Sequence, residues 1–589
     1  MDSASAQPIT VQQGRKRIMP KDSRMTPPDS HPWMVYISTL FASILAMLIG
    51  YNQAIISGAM LLLVDKFQVD TLWQQLIATS NTAGCAFALL LAGYPVQRFG
   101  RKKMILASNM LACIGAIISA AAPTKEVVLV GRFVSGIGGG GISLVVPMYI
   151  SECAPADIRG RLGSFTQCLL TVGIVLSSII AGAFSGIGES GWRWMFACPC
   201  VIDVVHFVGF LFLPESPRWY MDRGREKETE DVLKQLRNNP DEIAKELEDM
   251  KRTVAEGRRL KFDKGQGSSV VARVIKTPPV RRALILAMAL ASITQITGVS
   301  PIIFYSGTIL KRAGFSDELA IWMTSIPSAI MAASAFTATL LVERLGRKHL
   351  FLGAQIGQLI ALIVLGLGFF LSASHSPVVS DDIQRTINNA TTTPMCNFRT
   401  CEQCIDSSQC GFCYDVLSRA SCVPVSVNGS ATTGRCSSAS SFNSSDFTLV
   451  TQACPSDYKW FPVIGSSLYL AVFGGGCGVI FVVIAEVFPL WARGTCSSIA
   501  TSTLWISQIV VSVTFLSLAE AITAYGAFWL YAGVALLSAV YISIFMPETR
   551  GVRLEDVDQL FMTHDEKNVL RKTEEETELN ENAPADRML

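Results

Sequence analysis

Charge is what this chain has little of. Asp, Glu, Lys and Arg make up 16% of its 589 residues, where soluble domains carry about 25%. With 50% hydrophobic residues and a mean hydropathy of +0.39, it reads as a polytopic membrane protein. A net charge of +2 gives no sign of a nucleic-acid partner. No cleavable signal is expected, because residues 1–32 are polar, proline-containing and basic, without a short apolar core. A catalytic pattern is also missing: His564, Asp565 and Glu566 fall in the tail without metal-ligand spacing, so no enzyme activity, cofactor or metal is expected. The acidic run Glu574, Glu575 and Glu576 reads as disordered.

Long apolar runs are what the chain does have. About 20 apolar residues cross a bilayer, and twelve runs qualify, at 35–63, 72–95, 104–122, 127–149, 162–185, 193–213, 282–308, 318–342, 349–371, 461–485, 494–518 and 525–546. An even number returns both termini to one side. Arg15, Lys16 and Arg17 share that side with short connections carrying Arg98, Arg101, Lys102 and Lys103, then Arg159 and Arg161, then Arg344, Arg347 and Lys348, and finally Arg493. The positive-inside rule makes it cytoplasmic, and a multi-pass protein of the plasma membrane is expected. The organisation that follows is a cytoplasmic tail (1–32), a six-helix half (33–213), a cytoplasmic helical loop (214–280), three helices (281–372), an extracellular loop (373–460), three more helices (461–546) and an acidic cytoplasmic tail (547–589).

The two large loops differ in composition as their sides require. In 214–280, Ile243, Leu247, Met250 and Val254 recur at helical spacing, and Glu230/Lys234 and Glu248/Arg252 suit i,i+4 pairing. This predicts short amphipathic helices under the bundle. Segment 373–460 holds eight of the sixteen cysteines, Cys396, Cys401, Cys404, Cys410, Cys413, Cys422, Cys436 and Cys454, and the glycosylation sequons at Asn389, Asn428 and Asn443. An even count with sequons predicts a disulfide module. The "CEQC" and "CGFC" pairs also suit zinc, but an extracellular position disfavours that, and sequence does not select among the disulfide pairings.

Internal repeats organise the rest. "QRFGRKK" recurs as "ERLGRKH", with Arg98 and Arg344 separated by 246 residues. "SECAPADIRG" recurs as "AEVFPLWARG", with Glu152 and Glu486 separated by 334, and Glu215 and Glu548 of "PESPR" and "PETRG" lie 333 apart. The offset grows by 88 residues, the length of segment 373–460. The chain is a duplicated six-helix unit with an insertion between the ninth and tenth spans. Acids and arginines repeated at matching cytoplasmic helix ends, Arg101, Glu152, Arg159, Glu215, Glu343, Arg347, Glu486, Arg493 and Glu548, suggest ion pairs that latch the halves together when a central site faces outward.

Across essentially the whole membrane part, "GYNQAIISGA", "RFGRKK", "GRFVSGIGGGG", "PMYISECAPADIRG", "PESPRW", "VERLGRK", "EVFPLWARGT" and "PETRG" together resemble the sugar porter family of the major facilitator superfamily. The insertion, with "CGFCY", "CVPV" and "GRC", looks like that of the proton-coupled myo-inositol transporter branch, and its cysteine spacing is similar to the plexin-semaphorin-integrin type of module. The resemblance implies an all-α fold of two six-helix halves and a carrier for a small polyol or sugar, myo-inositol with a proton by default. An uncoupled hexose or polyol facilitator, or a transporter-like receptor, are the alternatives.

Carried over residue by residue, the resemblance places sugar-binding glutamines at Gln167 and Gln295. Amides of membrane helices also serve as interhelical glue. Thr294 and Ser300 stand where the family has Gln and Asn, Met331 where it has Asn, Phe481 where it has Trp, and Leu504 replaces the asparagine before Trp505. Tyr305 and Trp505 complete the expected set. Gly136 to Gly141 read as close helix packing, and Cys85, Cys113, Cys168 and Cys477 as inert apolar packers.

Proton-coupled sugar porters usually carry an aspartate where this chain has Asn52, and an amide cannot bind and release a proton. Its arginine partner is present as Arg132. The sixth run offers another acid, Asp203, three residues before His206 on one helix face. That pair is a proton relay, a structural hydrogen-bonded pair facing other helices, or an acid close enough to either membrane surface to be wet.

Overall fold

The computed structural model describes residues 32–155, 158–188, 190–262, 270–380, 396–407, 409–415, 420–426, 430–432, 436, 447–451, 454–549, 560–563 and 566. Eleven helical passages in it are long and apolar enough to cross a membrane: Trp33–Phe67, Arg101–Ala121, Lys125–Cys153, Arg159–Ser185, Gly191–Phe210, Pro278–Phe304, Asp317–Leu341, Arg347–Ser374, Trp460–Phe481, Ala492–Ile522 and Ala524–Phe545. The 29-residue helix Thr71–Phe99 takes the twelfth place, second in the chain. Spans are numbered below in this order.

The sequence repeat is also a structural repeat. Gly100 and Gly346 each separate two spans at positive φ, +96° and +86°, a backbone region that favours glycine. In each half the glutamate that closes the unit turns back onto this corner. Glu215 accepts from the Arg101 and Lys102 amides at 2.9 and 3.1 Å, and Glu548 accepts from the Arg347 and Lys348 amides at 2.9 and 3.1 Å. A carboxylate there satisfies the first free N–H groups of a helix and faces the positive end of its dipole.

Buried apolar residues form one cluster shared by both halves toward the insertion, including Ile55, Ile174, Ile302, Ile321 and Phe515. Toward the termini they divide into a cluster of the first half around Leu45, Tyr149 and Phe210 and another centred on the second half around Leu286, Val483 and Phe488. Gly136 lies so close to the Asn81 carbonyl that a Cβ would displace it, in keeping with close helix packing.

Between the halves, helices Pro217–Asp222, Glu226–Leu236 and Pro240–Phe262 pack Met221, Leu233 and Met250 against Ile243, Leu247 and Val254, and Lys234 pairs with Glu230 at 2.7 Å. The insertion contains a three-stranded antiparallel sheet in the order β2-β1-β3 (β1 Cys410–Asp415, β2 Ala420–Pro424, β3 Phe447–Val450). Its cysteines pair as 396–410, 401–454, 404–422 and 413–436, which leaves the CxxC sulfurs no capacity for zinc. Asn389, Asn428 and Asn443, and the side chains of Glu343 and Glu486, lie outside the described residues. Past the twelfth span, Glu566 pairs with Arg282 at 2.7 Å, and these bonds hold its carboxyl down to about 2.

Candidate functional site

The seventh span is interrupted where its sequence reads "TQITGVS". Helix Pro278–Ile296 stops, Gly298 adopts φ +95°, and a new helix starts at Val299. Ser300 Oγ donates across the break to Gln295 Oε1 at 3.2 Å, so the glutamine is braced by its own span. Broken helices at the bundle midplane are where transporters build binding sites. A second irregularity faces it, the π turn Phe473–Cys477 of the tenth span, a feature frequent at functional sites.

Between them lies a pocket lined by Gln167 and Thr171 of the first half and by Thr294, Gln295, Met331, Phe473, Cys477, Phe481 and Leu504 of the second. Four of the predicted ligand-contacting residues, Gln167, Gln295, Thr294 and Phe481, are therefore brought together. Thr294 returns its own hydroxyl to the Ala291 carbonyl at 2.7 Å. The other three are not on the wall. Ser300 is buried behind Gln295. Tyr305 is fully buried, its hydroxyl donating to the Ser512 carbonyl at 3.0 Å and its ring stacked on Phe515. Trp505 packs into the apolar cluster of the second half, because successive helical residues point about 100° apart and it is Leu504 that faces the pocket. Thr171 and Cys477 were not anticipated as lining. Thr171 follows Gln167 by one helical turn, a legible signal, whereas Cys477 reads from sequence as apolar packing and stands on the wall instead.

Arg132 is buried, and among the described residues no carboxylate pairs with it. Its Nε donates to the Ile77 carbonyl at 3.1 Å and its Nη atoms to the Asn52 carbonyl at 3.4 Å, with the Phe196 ring 5.7 Å away. It is thus the backbone of Asn52 that receives the guanidinium. Asp203 and His206 share a buried face of the sixth span, but not a relay bond. His206 Nε2 bonds to the Phe41 carbonyl at 3.0 Å and its Nδ1 to Asn109 Nδ2 at 3.2 Å, while both Asp203 oxygens are enclosed without a hydrogen-bond partner. They face Cys113 and Cys200, all three donor atoms lying within 4.8 Å of one another.

The repeated charges join elements within a half. Arg101 pairs with Glu152 at 2.8 Å, Glu152 also accepts from the Ser216 hydroxyl, and Arg159 and Arg493 donate to the Ala154 and Phe488 carbonyls at 3.4 and 3.1 Å. Burial pushes the Glu215 carboxyl up despite its amide donors. Bonds between the halves are found toward the insertion: Ser57 to Ser306 at 2.7 Å, Ser178 to Ser328 at 3.2 Å, Gln75 to Ser517 at 2.9 Å and Thr71 to Glu520 at 2.7 Å. The halves are latched there by hydroxyl and amide side chains, by the Glu520 carboxylate and by a shared apolar core.

The family model described as Sugar (and other) transporter matches residues 38–399 and 435–561. The chain is 38% identical over 542 residues to the Proton myo-inositol cotransporter of Homo sapiens, covering 90% of this chain and 83% of that protein. It is 32% identical over 554 residues to Inositol transporter 4 of Arabidopsis thaliana, covering 91% and 93%. Among solved structures, the partially occluded inward open conformation of the xylose transporter XylE from E. coli superposes with a TM-score of 0.62 at 20% identity, covering 87% of this chain and 100% of that one. A second XylE structure, described as a major facilitator superfamily protein, gives 0.62 at 22% identity, covering 90% and 99%. The chain is a multi-pass membrane protein with the major facilitator fold, and it belongs to the Sugar (and other) transporter family.

Proposed function

We propose that this carrier moves a small uncharged polyol, myo-inositol together with a proton, across the plasma membrane by alternating access, with both termini in the cytoplasm. The observation that carries the reading is the convergence of Gln167 from one half and Gln295 from the other on a single pocket. Two amides present donors and acceptors to a ring of hydroxyls, and placing them on opposite halves lets the ligand bridge the elements that rock. The names of its relatives in Homo sapiens and Arabidopsis thaliana support the substrate.

In this reading Arg132 organises the polar interior next to Asn52, and Asp203, a buried carboxyl at mid-span, takes the coupling proton that Asn52 cannot. An intramembrane acid is a functional group by default. The cytoplasmic charges Arg101, Glu152, Arg159, Glu215, Glu343, Arg347, Glu486, Arg493 and Glu548 form the gate, and sequons Asn389, Asn428 and Asn443 carry glycans on the disulfide module. A facilitator is the second reading, favoured by Arg132 resting on carbonyl oxygens. The test is uptake of labelled myo-inositol into cells expressing the chain, competed with unlabelled polyols and hexoses. Competition strongest with inositols supports the substrate, and competition by hexoses alone removes it.

A further inference from the structure

Cys477 closes the π turn of the tenth span and stands on the pocket wall. Behind it, Gln358 Nε2 donates to Cys477 Sγ at 3.3 Å and Gln355 Nε2 points at the same sulfur at 3.6 Å. The two glutamines are three residues apart on the ninth span, so they leave one helix face, and both are fully buried. Their carbonyl oxygens are enclosed without partners. Burying two such acceptors costs stability, and a sulfur is too weak an acceptor to offset it. What the pair achieves is orientation. Both amides hold Sγ from the ninth span, while Cys477 itself forms part of the pocket wall.

We propose that Cys477 is a specificity-determining hydrogen-bond donor to the polyol, giving its S–H to a ligand hydroxyl oxygen, and that Gln355 and Gln358 are positioning residues that aim it. The inference rests on the polyol reading of the pocket and adds to it a donor from the tenth span. Gln295 already has one acceptor site filled by Ser300, so a neighbouring donor sets which hydroxyl faces the tenth span. Ligands that lack a hydroxyl there gain nothing from the thiol.

The experiment is labelled myo-inositol uptake by the full chain carrying Cys477→Ala, Cys477→Ser or Gln358→Leu, with surface amounts measured by biotinylation. Loss of one weak donor raises KM about two- to fivefold in Cys477→Ala, with the change falling on KM rather than on maximal rate. Cys477→Ser keeps the wild-type KM or lowers it, since a hydroxyl donates better. Gln358→Leu raises KM in the wild type and adds nothing to Cys477→Ala. A packing role reverses the order of the first two, because alanine is the closer apolar substitute. Equal KM in wild type and Cys477→Ala, or a serine worse than the alanine, overturns the proposal. If the wild type carries glucose and not myo-inositol, the substrate reading fails and the same variants are judged with glucose. A chain that carries neither overturns both.

Discussion

Truncating Gln295 to alanine removes one of the two amide side chains on the pocket wall. Its Oε1 is held by Ser300 at 3.2 Å, which leaves the amide N–H groups for the ligand. Losing one or two neutral hydrogen bonds costs about 0.5–1.5 kcal/mol each. The sum of about 0.5–3 kcal/mol weakens binding roughly 2- to 150-fold. The fold itself loses little, because the bond between Gln295 and Ser300 lies within one span. Ser300→Ala is the control: it removes the brace and spares the ligand donors, so its effect is the smaller. The assay is the concentration dependence of myo-inositol uptake, corrected for surface amount. Wild-type affinity and rate in Gln295→Ala would remove this residue from the site, and an Ser300→Ala defect as large as that of Gln295→Ala would reduce Gln295 to a structural brace.

Other consequences follow from the same contacts. Arg101 and Glu152 are a buried pair with side chains 8% and 10% exposed; Glu152→Gln leaves the guanidinium unneutralised and is expected to cost about 3–5 kcal/mol, read as a lower unfolding temperature in detergent, and an unchanged temperature contradicts it. Because burial pushes the Glu215 carboxyl up, the folded chain holds that proton to higher pH than the unfolded chain; the linked stability is present in acid and declines as pH rises above the usual carboxylate value of about 4.3. Glu215→Gln should flatten that slope, and an unaltered slope assigns it elsewhere. Replacing Cys401 and Cys454 with serine opens a bridge spanning 53 residues and should expose the insertion to protease while uptake persists; loss of all uptake in correctly sorted protein would make the module part of the carrier mechanism.

The spans were legible because length and apolarity are properties of composition, and the duplication because its motifs survive in both halves. What the repeated glutamates do was not legible. Glu215 and Glu548 read as latch partners by charge, but their partners here are backbone amides at the Gly100 and Gly346 corners, and amides leave no mark in a sequence. Gln167 and Gln295, singled out by motif, line one pocket. Ser300 and Tyr305 lie off the pocket wall, beyond the break at Gly298 that changes the direction in which later residues of the span point. Leu504 rather than Trp505 lines this pocket. Cys477 reads from sequence as packing because a cysteine in an apolar run resembles it, and its place on the pocket wall depends on the π turn. Disulfide pairing depends on how the insertion folds, which spacing alone does not encode.

The central claim is tested most directly by recording current and labelled myo-inositol uptake together, in neutral and then acidic external medium, for the wild type and Asp203→Asn. The account predicts uptake that rises in acid with an inward current, and an Asp203→Asn chain whose uptake no longer responds to pH. Uptake indifferent to pH and without current in the wild type would contradict proton coupling and leave a facilitator.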